Sequence, residues 1–203
     1  MNYLAHLHLG GQEPQQLLGR LYGDFVKGRL SGNYSAEAEE AIRLHRQIDA
    51  FTDSHPLVRR ALDRFPATRR RYAGIALDMF FDHCLARDWE RYANVPLDVF
   101  SQKVYRLLEN EPALPERLAQ IAPLIIAEDW LGAYRDFSMI GHGLEVISLR
   151  LSQPDGLLGA YEELTALYEP LSADFLEFYP LLWQYAQPGS ELGKTSPIPM
   201  VNV

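Results

Sequence analysis

The sequence predicts an all-α fold, built as a single helical domain. Apolar residues recur at helical spacing along nearly the whole chain, and prolines and glycines cut it into helix-sized lengths. No stretch shows the period of two that a half-buried strand requires, and no repeat of fixed length is present. With 203 residues, 47% of them hydrophobic and 23% charged, the chain can bury one substantial core.

The elements follow in order. MNYLAHLHL reads as an extended arm whose alternation puts His6 and His8 on one side, as surface or hydrogen-bonded histidines. Pro14 opens a helix through QQLLGRLYGDFVKGRL, which Gly32-Asn33 stops. Ser35 is the N-cap of AEAEEAIRLHRQIDAFTD, with glutamates in its first turn. Pro56 fits the first turn of LVRRALDRF, and Pro66 opens a long helix to about Tyr92. Pro96 and Pro115 introduce two more, separated by a break at 110–112, and Pro123 kinks or ends one segment. Further helices are expected at about 125–135, 137–152, 156–168 and 172–185. Residues 1–187 make up the domain, and 188–203 read as a poorly ordered tail.

Charge and cysteine content narrow the function. The N-terminus lacks a basic region and has too short an apolar core for a signal peptide, and no stretch is long and apolar enough to span a bilayer. Cys84 is the only cysteine, so intrachain disulfides are excluded and the cytoplasm is the expected compartment. Neither nucleic acid nor a membrane is an expected partner of a chain with net charge −8. That charge is uneven: residues 1–71 hold 11 Lys/Arg against 8 Asp/Glu. Arg59, Arg60, Arg64, Arg69, Arg70 and Arg71 crowd together with only Asp63 among them. Such a cluster is either a solvated face or a steering surface for an acidic partner.

The chemistry is concentrated in polar groups on apolar faces. AGIALDMFFDHCLA, residues 73–86, is broken only by Asp78, Asp82 and His83. Buried carboxylates must pair, bind metal or change protonation state, because burying one alone costs several kcal/mol. Asp78 and Asp82 stand one turn apart on one face, and so do His45, Asp49 and Asp53. His45 continues the apolar stripe of Ile42, Ile48 and Phe51 and so points to the core. Asp24 shares a face with Leu17, Leu21 and Phe25 and follows Gly23, which would let another helix approach closely. His142, between two glycines, reads as structural. A mixed His/Asp set suits manganese, magnesium, iron or zinc. The bland alternative is a buried Asp–Arg/His network.

Four motifs, MNYLAHLHL, LLGRLYGDFVKG, LHRQIDAFTDSHP and ALDMFFDHCLARDW, occur in this order, and together they resemble the acyl carrier protein phosphodiesterase family. The resemblance is densest over residues 1–92. It implies a helical architecture related to the HD-type metal-dependent phosphohydrolases. It also implies a manganese-dependent hydrolase, with magnesium, iron or cobalt as alternatives, that removes the phosphopantetheine arm from holo-acyl carrier protein. Carried over by motif, the metal ligands would come from Asp24, His45, Asp49, Asp78, Asp82 and His83, with Asp24, His45 and Asp82 catalytic. The doublet reads Asp82-His83 where the HD pattern has His-Asp, and Arg20 stands where the motif has Asn.

Hydrolysis of a phosphodiester requires an activated water, charge neutralisation at phosphorus and a stabilised leaving oxygen, all of which a divalent ion can supply. Lys27 and Arg46 are candidate binders of the non-bridging oxygens, or else ordinary surface ion-pair residues. Arg59, Arg60 and Arg64 are candidates for holding an acidic carrier. Two rivals remain: a hydrolase of nucleotides or other small phosphodiesters, and a non-enzymatic helical binding module.

Overall fold

The computed structural model describes residues 1–149, 151, 154–187 and 189–190; the rest of the expected tail lies outside the described residues. The architecture is all-α, with eleven α-helices among the described residues. The first five are α1 (Tyr3–His8), α2 (Pro14–Phe25), α3 (Ala36–Ser54), α4 (Pro56–Asp63) and α5 (Ala73–Arg87). They are followed by α6 (Leu97–Asn110), α7 (Glu116–Ala127), α8 (Trp130–Ala133), α9 (Phe137–Ser148), α10 (Ala160–Ala166) and α11 (Tyr168–Tyr185). None of the described helices is long and apolar enough to cross a membrane.

The core is organised around α5, whose Phe80, Phe81, Cys84 and Leu85 are buried on successive faces. That is why the run lacks the one-sided pattern of a surface helix. Helices α2 and α3 pack against each other at close range. A Cβ on Gly19 would lie 2.4 Å from the Ala38 carbonyl oxygen, and one on Gly23 would lie 2.2 Å from the His45 ring. Only glycine permits this approach, and it brings Asp24 of α2 beside α3.

Several segments depart from expectation, each for a physical reason. The N-terminal arm is a helix, not an extended strand: Leu4 and Leu7, three residues apart, are both fully buried. Its free N–H groups are met by Asn2, which accepts from Tyr3, and by Asp82 of α5. The second helix stops at Phe25 instead of continuing to Leu30. Arg46 of α3 donates to the carbonyls of Val26 (2.8 Å) and Gly28 (2.9 Å), and Gly28 turns through a left-handed φ of +77°. The helix expected from Pro66 breaks at 70–72. Arg69 there reaches across to Glu163 (2.9 Å) and to the carbonyls of Gly156 and Leu158, which holds its short 3-10 turn apart from α5.

Pro123 does not end its segment: α7 runs through it to Ala127. Pro123 and Ala119, whose carbonyl loses its partner, both face solvent, which supplies the missing bond. Likewise α11 begins at Tyr168 and absorbs Pro170 in its first turn, where an N–H would have no helical partner anyway. Ser35, Pro56, Pro96 and Pro115 open α3, α4, α6 and α7 as the sequence indicates.

Candidate metal centre

Three helices converge on one group of donors. His6 of α1 and His45 of α3 stack ring on ring, 3.6 Å between centroids, and Asp49 lies one turn beyond His45. Asp49 meets His6 Nε2 at 3.0 Å and His45 Nε2 at 3.3 Å, one carboxylate oxygen to each. Asp24 stands 3.7 Å from the same His45 nitrogen. One donor atom from each of His6, His45 and Asp49 lies within 4.8 Å of the others. His45 Nδ1 donates to the Arg20 carbonyl at 2.7 Å, so Nε2 is the nitrogen that faces the cluster and, once deprotonated, could serve an ion. His6 Nδ1 is buried without a partner. Two imidazoles and a carboxylate are a donor set that fits a divalent transition ion.

The electrostatics show how strongly these groups interact. Burial pushes His6 down to about 4, against the pull of Asp49, and the neighbouring His45 pushes it the same way. Burial would also lower His45, but hydrogen bonds to Asp24 and Asp49 outweigh it and raise His45 to about 9. Asp49 would rise on burial; its hydrogen bonds to His45 and His6 hold it well below the usual carboxylate range instead. Asp24 is lowered for similar reasons.

These shifts predict a pH dependence for the metal-free protein. The unfolded chain releases the His45 proton near 6.5 and the folded protein near 9, so its contribution is full below 6.5 and lost as pH rises through 9. The Met1 ammonium, raised above 8.0 by Asp78 despite burial, acts with the same sign. The lowered His6 opposes them only below 6.5. The melting temperature should fall by on the order of 5 °C between pH 7 and 9 in calorimetry. His45→Gln should flatten that slope, and a melting temperature that rises with pH would contradict the assignment.

The structure brings together Asp24, His45 and Asp49 and adds His6, while Asp78, Asp82 and His83 meet other partners. Asp78 pairs with the Met1 ammonium at 2.7 Å. Asp82, fully buried, accepts the backbone N–H groups of Asn2 (3.2 Å), Leu4 (2.7 Å) and Ala5 (3.3 Å) and so caps α1. Burial raises its carboxyl to about 7, although the ammonium and these N–H groups pull it down. His83 spends both ring nitrogens, Nδ1 on the Tyr134 carbonyl and Nε2 on the Tyr168 hydroxyl, each at 2.8 Å. With both nitrogens engaged it does not join the donors.

Arg46 is a backbone clamp, Lys27 is exposed on the loop that it clamps, and Arg59 is exposed. Arg60 and Arg64 pair with the buried Asp174 of α11, each at 2.7 Å, and Arg60 also with Glu177 at 3.0 Å. Much of the expected cationic face is therefore neutralised within the fold. His6 was not among the expected site residues. An extended arm puts it beside His8, whereas the helix turns the two apart: His8 bonds Tyr179 Oη and the Tyr92 carbonyl. The spacing of Leu4 and Leu7 is the signal that would have found it.

Beside the cluster lies a cavity of about 430 Å³. Its lining includes polar Asn2, Tyr3, Asp24 and Tyr134 and apolar Ile121, Leu124, Ile140 and Ile147, along with Arg117 and His142. Its volume falls in the range of small-molecule sites. Asp24 is the residue shared by the cavity lining and the His/Asp cluster.

An all-helical protein with two histidines and a carboxylate converging beside such a cavity is of the class that holds a divalent ion next to a substrate pocket. Comparison with known proteins makes this specific. The family model for acyl carrier protein phosphodiesterase matches residues 1–182. Acyl carrier protein phosphodiesterases of Yersinia enterocolitica and Yersinia pestis are 35% and 36% identical over 190 and 189 residues, covering 92% of this chain and 98% of theirs. That of Serratia proteamaculans is 35% identical with the same coverage. No solved structure matches. The chain belongs to the acyl carrier protein phosphodiesterase family.

Proposed function

We propose that the protein hydrolyses the phosphodiester that joins the phosphopantetheine arm to the serine of holo-acyl carrier protein. Water adds to phosphorus, the P–O bond to the serine breaks, and the serine oxygen takes a proton. The products are apo-acyl carrier protein and free phosphopantetheine. Near-full-length similarity to named acyl carrier protein phosphodiesterases carries this reading.

His6, His45 and Asp49 are the proposed holders of the ion, manganese by preference, and their mixed nitrogen and oxygen donors suit it. Bound there, a divalent ion would lower the pKa of water and neutralise charge on a phosphoryl oxygen. Asp24, ionised and lining the cavity, is placed to orient the attacking water and to hold its proton. The apolar wall suits the arm's gem-dimethyl and methylene groups, while Asn2 and Tyr3 stand at the phosphate end. Asp78 and Asp82 support this end by anchoring α1. Helix-borne His and Asp donors in an all-α fold are what support kinship with the HD-type phosphohydrolases. Residues 1–187 are proposed as the hydrolase domain and the cytoplasm as its compartment, in keeping with the single, buried thiol of Cys84.

Incubation of the purified protein with holo-acyl carrier protein and manganese, followed by intact mass spectrometry, tests the reading. The carrier should lose one phosphopantetheine. An unchanged mass across several divalent metals would rule the reading out, and turnover confined to small diesters would favour that rival substrate class.

A further inference from the structure

We propose that the loop between α2 and α3, residues 26–35, is the surface on which an acidic face of the protein substrate docks, with Lys27 and Arg29 as its contact cations. This deepens the phosphodiesterase reading and rests on it. The sequence by itself points to the arginines of 59–71, but the fold spends many of those charges. Arg60 and Arg64 close on Asp174 and Glu177, Arg69 closes on Glu163, and Arg71 lies over the Tyr72 ring.

The loop is the opposite case. From Val26 to Ser35 the sequence contains no acidic residue. Neither Lys27 nor Arg29 makes an ion pair among the described residues, and both are exposed. The loop's backbone is held in place. Arg46 fixes the carbonyls of Val26 and Gly28, Glu39 accepts the N–H of Gly32 at 2.7 Å, and Gly28 and Gly32 both take left-handed conformations. Two cations on a braced backbone lose little further freedom when a partner binds.

Position completes the argument. The loop continues directly from Asp24 and Phe25, both of which line the cavity. Its clamp, Arg46, is the residue after His45 and three before Asp49. The loop and the donor cluster are thus borne by the same two helices. A partner seated on Lys27 and Arg29 lies beside the mouth where its linked phosphate must enter. Complementary charge at that place speeds encounter and sets orientation, an effect that salt weakens.

Binding of apo-acyl carrier protein, which cannot be turned over, tests the surface directly. Fluorescence anisotropy at low salt should show Kd weakened about tenfold by Arg29→Glu and further by the Lys27→Glu/Arg29→Glu pair, with unchanged melting temperatures. The difference should shrink at high salt, and Arg106→Glu, at an exposed position of α6, should stay within about twofold. A Kd within about twofold of native in Arg29→Glu, or a larger loss in Arg59→Glu, overturns the proposal. Parallel assay of holo-acyl carrier protein separates the failures. Lost binding in Arg29→Glu without wild-type turnover sinks the enzymatic reading alone; wild-type turnover with undiminished binding in Arg29→Glu sinks the docking surface alone.

Discussion

Replacing His6 with asparagine is expected to lower turnover of holo-acyl carrier protein roughly a thousandfold. His6 supplies one of three converging donor atoms, and a site that loses a ligand forfeits several kcal/mol of charge stabilisation at phosphorus. Bound metal, measured by elemental analysis after dialysis, should fall in parallel. The comparison that isolates the effect is His8→Asn. Two residues along, that ring serves only Tyr179 and the Tyr92 carbonyl, so its loss should show in stability rather than in metal content. A His6→Asn protein with native turnover and native metal content would remove α1 from the site.

The second large effect concerns folding. Asp82→Ala should destabilise the protein by about 3–5 kcal/mol, read as a lower midpoint in urea denaturation. The carboxylate is wholly enclosed and takes three backbone N–H groups of the first helical turn, so alanine leaves those donors stranded in the core. Asp82→Asn keeps an acceptor oxygen and should lose clearly less. Whatever fraction of Asp82→Ala remains folded should still bind metal at His6, His45 and Asp49. A native denaturation midpoint accompanied by complete loss of metal would reverse this assignment and make Asp82 a ligand.

The two predictions rest on residues of unequal legibility. His45 and Asp49 could be read from the sequence because both periods, i to i+4 and the apolar stripe, belong to one helix. Asp24 was legible through its place after Gly23, whose missing side chain the His45 ring occupies. Asp82 and His83 looked equivalent to these by the same local logic, since each interrupts an apolar run. What separates them is the partner each meets across the fold: the start of α1 for Asp82, Tyr134 and Tyr168 for His83. Local spacing contains no information about that partner.

The arginines make the same point for charge. Arg60 and Arg64 read as a free cationic face because their counter-ion, Asp174, lies 114 and 110 residues away in sequence. Lys27 reads in the sequence as a candidate binder of phosphate oxygens, while Arg29 carries no local signal; the fold leaves both without an ion-pair partner among the described residues.

The sequence by itself determined the helical class, most helix starts, the family, and two of the three converging donors. These are matters of local periodicity and capping, each settled within one helix, and of motif order along residues 1–92. The tertiary structure alone decided that the first residues form a helix bringing His6 onto His45. It also decided that Asp82 is the cap holding that helix and that the α4 arginines close on α11. Those outcomes depend on which buried polar groups meet one another. Desolvation forces every such group to find a partner, and only the assembled fold determines which one.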